Sequence, residues 1–98
     1  MTLDQTISAL EELSPVLTAR GVTRLSVFGS QVTGKAHPES DLDVIVDYDP
    51  DSRFSLLDLV AVGRIIQERT GIKADVMTRR GLHPVLKSKI EFEEIRVY

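Results

Sequence analysis

Asp41-Leu42-Asp43 opens an apolar run, Val44-Ile45-Val46, and a chain that buries such a run must deal with two acids at its mouth. Successive strand side chains point to opposite faces. Leu42, Val44 and Val46 therefore predict a core face. Asp41 and Asp43 project together on the other face, their Cα atoms about 6.6–7 Å apart. Two carboxylates so placed repel each other unless a cation is shared. Magnesium suits the position, because it takes hard oxygen ligands and commonly uses one or two carboxylates plus substrate phosphates.

A second run, Thr23 to Phe28, alternates, is rich in β-formers and ends in Gly29-Ser30, ten residues before Asp41. A glycine at a strand end lets backbone approach a ligand closely. Ser30 is expected to cap a short following helix, where exposed amides favour an anion. Phosphates over Ser30, with a metal between them and the two aspartates, make a coherent nucleotide site. A third acid, Asp75, lies in the short apolar segment Lys73-Ala74-Asp75-Val76-Met77. It would share a second ion or take a proton from an attacking hydroxyl.

Around these motifs the pattern alternates between helix and strand. Thr2-Leu3-Asp4-Gln5 reads as a capping box, and Leu3, Ile7, Leu10 and Leu13 line one helical face. Ser14-Pro15 predicts a break, with Ser14 capping a second helix through Arg20, which Gly21 ends. Residues 30 to 36 read as a short helix or turn, and Leu42 to Tyr48 as a strand. Asp47 to Arg53 is a turn by its Asp and Pro content. Phe54 to Arg69 is apolar on several sides, so a well-buried helix is expected. Lys73 to Thr78 is a third strand. Pro84 starts a last helix through about Ile95, with Leu86 and Ile90 facing inward. Helices alternating with strands predict an α/β (α+β) chain, with helices flanking a central sheet.

The 98 residues fit one domain, 1–98, with no linker or repeat. The chain has no cysteine, which excludes disulfides, thiolate zinc sites and cysteine nucleophiles. Its formal charge of −3 comes without a basic stripe, which counts against a direct grip on nucleic acid. The acidic, amphipathic start and the absence of a run near the ~20 apolar residues of a membrane span predict a cytoplasmic protein with no membrane contact.

Gly29-Ser30, ten residues, then Asp41-Leu42-Asp43 resembles the signature of the DNA polymerase β-like nucleotidyltransferase superfamily. The small size and the ending Leu82 to Tyr98 resemble the minimal nucleotidyltransferases, which act as antitoxins beside HEPN-type toxins. That resemblance implies a mixed sheet flanked by helices. It implies transfer of AMP from ATP, with two magnesium ions, onto a tyrosine of the cognate toxin. Residue by residue, it implies nucleotide contacts at Gly29 and Ser30, and metal ligation and catalysis at Asp41, Asp43 and Asp75. Such relatives commonly carry an arginine just after the GS pair, where this chain has Gln31 and Val32; Lys35 is the substitute at hand.

Two other functions compete. A binding antitoxin would occlude its toxin by contact and keep the site as a vestige. A transferase acting on a small molecule such as an aminoglycoside would need a substrate-binding domain, for which this chain has no space. Elsewhere the plainer readings are preferred. Asp47, Asp49 and Asp51 read as solvated loop acids, His37 and His83 as loop residues beside prolines, Arg79-Arg80 as a solvated pair, and Tyr98 has no assigned role.

Overall fold

The structure, a computed structural model, describes residues 2–37 and 40–98. Ten elements follow one another: α1 (Leu3–Glu12), α2 (Ser14–Ala19), β1 (Val22–Phe28), α3 (Ser30–Thr33), β2 (Leu42–Tyr48), α4 (Leu56–Thr70), β3 (Ala74–Thr78), a 3-10 turn at Arg79–Gly81, α5 (Pro84–Glu93) and β4 (Ile95–Arg96). The strands form one sheet in the order β3-β2-β1-β4. β1 runs antiparallel to β2 and β4, while β2 and β3 are parallel, so the sheet is mixed as expected.

Local chemistry sets the helix ends. The Thr2 hydroxyl accepts from the Gln5 amide at 3.2 Å and the Gln5 side chain accepts from the Thr2 amide at 2.9 Å, closing the expected capping box. A second box, Ser55 with Asp58, starts α4 two residues later than its apolar pattern suggests. α2 corrects one expectation. Ser14 is its first residue, and the cap is Leu13, which has no side-chain oxygen to offer.

The core lies on one face of the sheet. Leu25, Val27, Leu42, Val44 and Val46 are fully buried there against Leu10, Leu17, Val62 and Ile66 of the helices. α4 buries one side only. Leu56, Leu57 and Val60 are more than half exposed, against the expectation of burial all round.

The opposite face carries far less. Phe28, Ile45 and Ile90 make a small second cluster, with Met77 and Leu82 packed against it. α5 is laid across this face by Ile90 alone among its residues; Leu86, expected inward, is 46% exposed. After Glu93 the chain turns into β4, which the pattern did not announce. Its two residues pair with Ser26 and Val27. The Tyr98 carbonyl accepts from the Leu25 amide and the Tyr98 hydroxyl donates to the Val22 carbonyl, so this residue pins the last segment along β1.

Candidate active site

The sparsely covered face is where the expected site residues meet. Asp43 pairs across the ladder with Phe28 on one side and with Asp75 on the other. Adjacent strands lie about 4.8 Å apart, so Asp43 and Asp75 project side by side. Asp41 sits just before β2, two residues from Asp43 and therefore on the same side of the sheet. Gly29 follows Phe28 directly, which brings the turn at the end of β1 up against Asp43.

Gly29 is the residue on which this approach depends. Its φ of 78° and ψ of −154° lie in a region essentially restricted to glycine. A Cβ added there would overlap the Asp43 carboxylate, lying 3.0 Å from its carboxyl carbon. The Gly29 carbonyl accepts from the amides of Val32 and Thr33, both at 3.0 Å, and so starts α3. Gly29 is thus the cap of α3 and Ser30 its first residue, which corrects the expectation that Ser30 caps. The amides of Ser30 and Gln31, at the first turn, have no intrahelical acceptor. Gln31 reaches the Ser40 carbonyl with its side chain at 3.4 Å and ties the turn to the approach of β2.

A fourth carboxylate enters from α5. The Gly29 amide donates to Glu93 Oε1 at 3.1 Å. Burial raises the pKa of Asp43, and the negative charges of Asp75, Asp41 and Glu93 raise it further. Among the described residues, no three acidic or histidine side chains are gathered closely enough to ring an ion unaided. The site is an acidic face turned toward a glycine turn and short of positive charge.

At the far end of the same face the acids Asp47, Glu91 and Glu94 are paired with Arg79 and Arg24, Glu91 at 3.7 Å from the Arg79 guanidinium. Arg79 holds Glu94 with two hydrogen bonds of 2.9 and 2.8 Å and Asp47 with one of 2.8 Å. Arg24 reaches the same Glu94 at 3.4 Å. Burial alone would push the Glu94 carboxyl up, but Arg79, helped by Ser26 and Arg24, more than reverses this and holds it below its ordinary value. The Ser26 hydroxyl faces this carboxylate without the geometry of a formed hydrogen bond. Arg79 is therefore not a solvated residue, nor is Asp47 a loop acid. Both belong to an ion cluster whose Arg79 side chain is only 11% exposed. Arg80 lies over the Tyr48 ring, 5.8 Å from its centre. His83 is the cap of α5, its Nδ1 accepting from the Val85 amide at 3.2 Å.

Neither Glu93 nor the Arg79 cluster was singled out from the sequence. The one signal for Glu93 is its place three residues after Ile90, which an inward-facing apolar stripe brings to the same side of a helix.

A mixed sheet with a glycine-serine turn facing paired aspartates defines a class, and the comparisons agree with it. Residues 3–98 match the Nucleotidyltransferase domain family. The chain belongs to that family, and its activity is nucleotidyl transfer. A Methanocaldococcus jannaschii chain assigned as a protein adenylyltransferase is 36% identical over 86 residues, 88% of this chain and 90% of that one. A solved structure assigned as a minimal nucleotidyltransferase is 29% identical, covers 97% of this chain and 95% of its own, and superimposes with a TM-score of 0.83. A chain from the solved complex of a tri-AMPylated Shewanella oneidensis HEPN toxin with MNT antitoxin matches with a TM-score of 0.67, over 98% of this chain and 71% of that one. At 11% identity this last likeness is one of fold alone. Among the described residues, no helix is long and apolar enough to cross a membrane.

Proposed function

We propose that the chain is a cytoplasmic protein adenylyltransferase that moves AMP from ATP onto a tyrosine hydroxyl of a HEPN-type toxin and so acts as its antitoxin. The observation that carries this reading is the packing of the Asp43 carboxylate against Gly29, where a side chain on the turn would have no room. That fit sets a carboxylate beside a turn whose Ser30 and Gln31 amides have no intrahelical acceptor, which suits a metal-bound triphosphate.

The acidic face fits a divalent ion, because Asp43 is repelled by three neighbouring carboxylates and no cation among the described residues offsets them there. Asp41 and Asp43 would hold magnesium, with Asp75 beside them for a second ion. Magnesium, when bound, neutralises the charge that builds on the phosphates. The Ser30 hydroxyl and the amides of the Gly29 turn would hold the triphosphate in line. Asp75, exposed at the edge of the sheet, would take the proton from the acceptor hydroxyl. The hydroxyl oxygen then bonds to the α-phosphorus, the bond to the bridging oxygen breaks, and pyrophosphate leaves. The Shewanella complex supports the choice of acceptor class, since in it a HEPN toxin carries AMP beside a protein of this fold.

The test is intact-mass spectrometry of a co-expressed HEPN-type partner. A substoichiometric amount of this chain, with ATP and magnesium, is expected to silence excess toxin, and the toxin to gain one or more AMP groups on tyrosine. An unmodified but inactive toxin, held in a one-to-one complex that ignores ATP, would sink catalysis in favour of occlusion.

A further inference from the structure

Gly29 is held from every side. Its carbonyl is taken by Val32 and Thr33, and its Cα rests against Asp43. Its amide is taken by Glu93, which lies 64 residues further along the chain. No other side chain among the described residues binds that amide.

Glu93 reaches it because three features of the fold agree. The β1–β4 register pairs Ser26 with Arg96 and Val27 with Ile95. Continued by two residues, the same antiparallel register sets Glu93 opposite Gly29. One turn earlier, Ile90 is buried against Phe28 and Ile45 and fixes the angle of α5. One residue later, Glu94 is gripped by Arg79 and Arg24. Glu93 is left with little freedom between these anchors.

The placement is poor for Glu93 itself. It has no cationic partner among the described residues. It also lies close enough to Asp43 to add to the repulsion there. Its visible attractive contact is the Gly29 amide. A carboxylate held against like charges by one hydrogen bond points to a duty at the turn rather than to stability.

We propose that Glu93 is a positioning residue of the nucleotide site. By fixing the Gly29 amide it sets the turn so that the Ser30 hydroxyl and the following amides face the triphosphate. The Arg79 clamp on Glu94 holds it in place. This rests on the reading of the Gly29 turn as the phosphate cradle.

The experiment compares Glu93→Ala, Glu93→Gln and the unaltered full chain. Calorimetric titration with magnesium and a non-hydrolysable ATP analogue reads the nucleotide site, and hydrogen exchange at the Gly29 amide reads the turn. Glu93→Ala is expected to bind the analogue about fivefold more weakly, the worth of one modest hydrogen bond, and to expose the Gly29 amide to faster exchange. Glu93→Gln keeps an acceptor oxygen at the same reach and is expected to restore both. Should Glu93→Ala fail to fold, Glu93→Asp, one methylene short of the amide, takes its place with the same expectation. Unchanged binding in the shortened variant overturns the proposal. So does tighter binding, which would make the carboxylate a competitor of phosphate, or a glutamine variant as weak as alanine, which would make its charge the active property. Loss of analogue binding in Asp43→Asn, with Glu93→Ala unaffected, would leave the nucleotide site standing and remove Glu93 alone. An unaltered chain that binds no analogue would sink both.

Discussion

The two faces of the sheet follow different rules. One carries Leu25, Val27, Leu42, Val44 and Val46, all fully buried beneath α1, α2 and α4. The other alternates in bands: Phe28 with Asp43 and Asp75, then Ser26 with Ile45 and Met77, then Arg24 with Asp47 and its clamp Arg79. The first face gains from each apolar contact that removes surface from water. The second has only a small apolar centre, and among the described residues its acids are paired with arginines at one end and have no salt bridge at the other. The difference assigns stability to one face and chemistry to the other. A residue that repels its neighbours persists only where the rest of the fold supplies enough stability to keep it there.

The comparison breaks most readily at Asp43. Asp43→Asn keeps the shape of the side chain and removes its charge. It is expected to lower AMP transfer by about a thousandfold, the several kcal/mol lost with a metal-binding carboxylate. The fold should not suffer. The Asp43 pKa is raised in the folded state, so its contribution to stability is fully present below the unfolded value near 3.8 and is lost as pH rises through the folded value. At neutral pH without metal, the carboxylate therefore costs stability, and the asparagine variant is expected to melt at the same temperature or higher. Transfer measured with labelled ATP, beside a melting curve in chelator, checks both halves. A variant that transfers normally, or that melts well below the parent, would show that the faces are not divided in this way.

The core face should respond in the opposite sense. Leu25 is fully buried in mid-strand, with helices packed over it. Leu25→Ala is expected to cost about 3 kcal/mol, within the range for buried leucines, because the surrounding packing closes only part of the cavity. Nucleotide affinity of the folded fraction should stay near that of the parent, since Leu25 points away from the acidic face. Urea denaturation and analogue titration on the same variant separate the two effects. A large loss of affinity with little loss of stability would contradict the division.

How far each face was legible in the sequence follows from the same contrast. β2 was bounded correctly at Leu42 and Tyr48, because alternation and flanking acids are local signals. The Thr2 capping box was readable for the same reason. The candidate residues Gly29, Ser30, Asp41 and Asp43 stood out because their spacing lies within one stretch of chain, and Asp75 because it interrupts an apolar run; the ladder sets Asp43 beside Asp75 and Phe28. β4 escaped notice because two residues carry no periodicity, and its pairing with β1 is set by α5 and Tyr98. Leu86 was placed inward because helical spacing ties it to Ile90, but the second face is too thinly covered to bury both. Arg79 read as solvated because its partners Asp47 and Glu94 lie 32 and 15 residues away. Ion pairs across a sheet have no signature in a single strand.

The smallest expected effect is at that ion cluster, where the acids of the second face are paired. Arg79→Met keeps much of the side-chain bulk and removes the guanidinium from Asp47 and Glu94, and from the half-exposed Glu91. A fully buried pair broken on one side costs about 3–5 kcal/mol. Asp47 is 31% exposed, so water relieves part of that charge, and we expect about 2 kcal/mol, below the fully buried range. The pH dependence makes the assignment specific. In the parent, the Glu94 pKa lies below the ordinary 4.5, so its contribution is fully present above that value and is lost as pH falls through the folded value. In the variant the Arg79 interactions that did most to lower it are gone, Ser26 and Arg24 remain, and burial is unchanged, so the carboxyl titrates higher than in the parent and its ionised form is less favoured. The melting temperatures of parent and variant should therefore be furthest apart near neutral pH and draw together toward pH 4. A gap that stays constant across this range would mean that Arg79 stabilises by packing its stem. In that case Glu94, and with it the hold on Glu93, would owe its place to Ile90 and the β4 register instead.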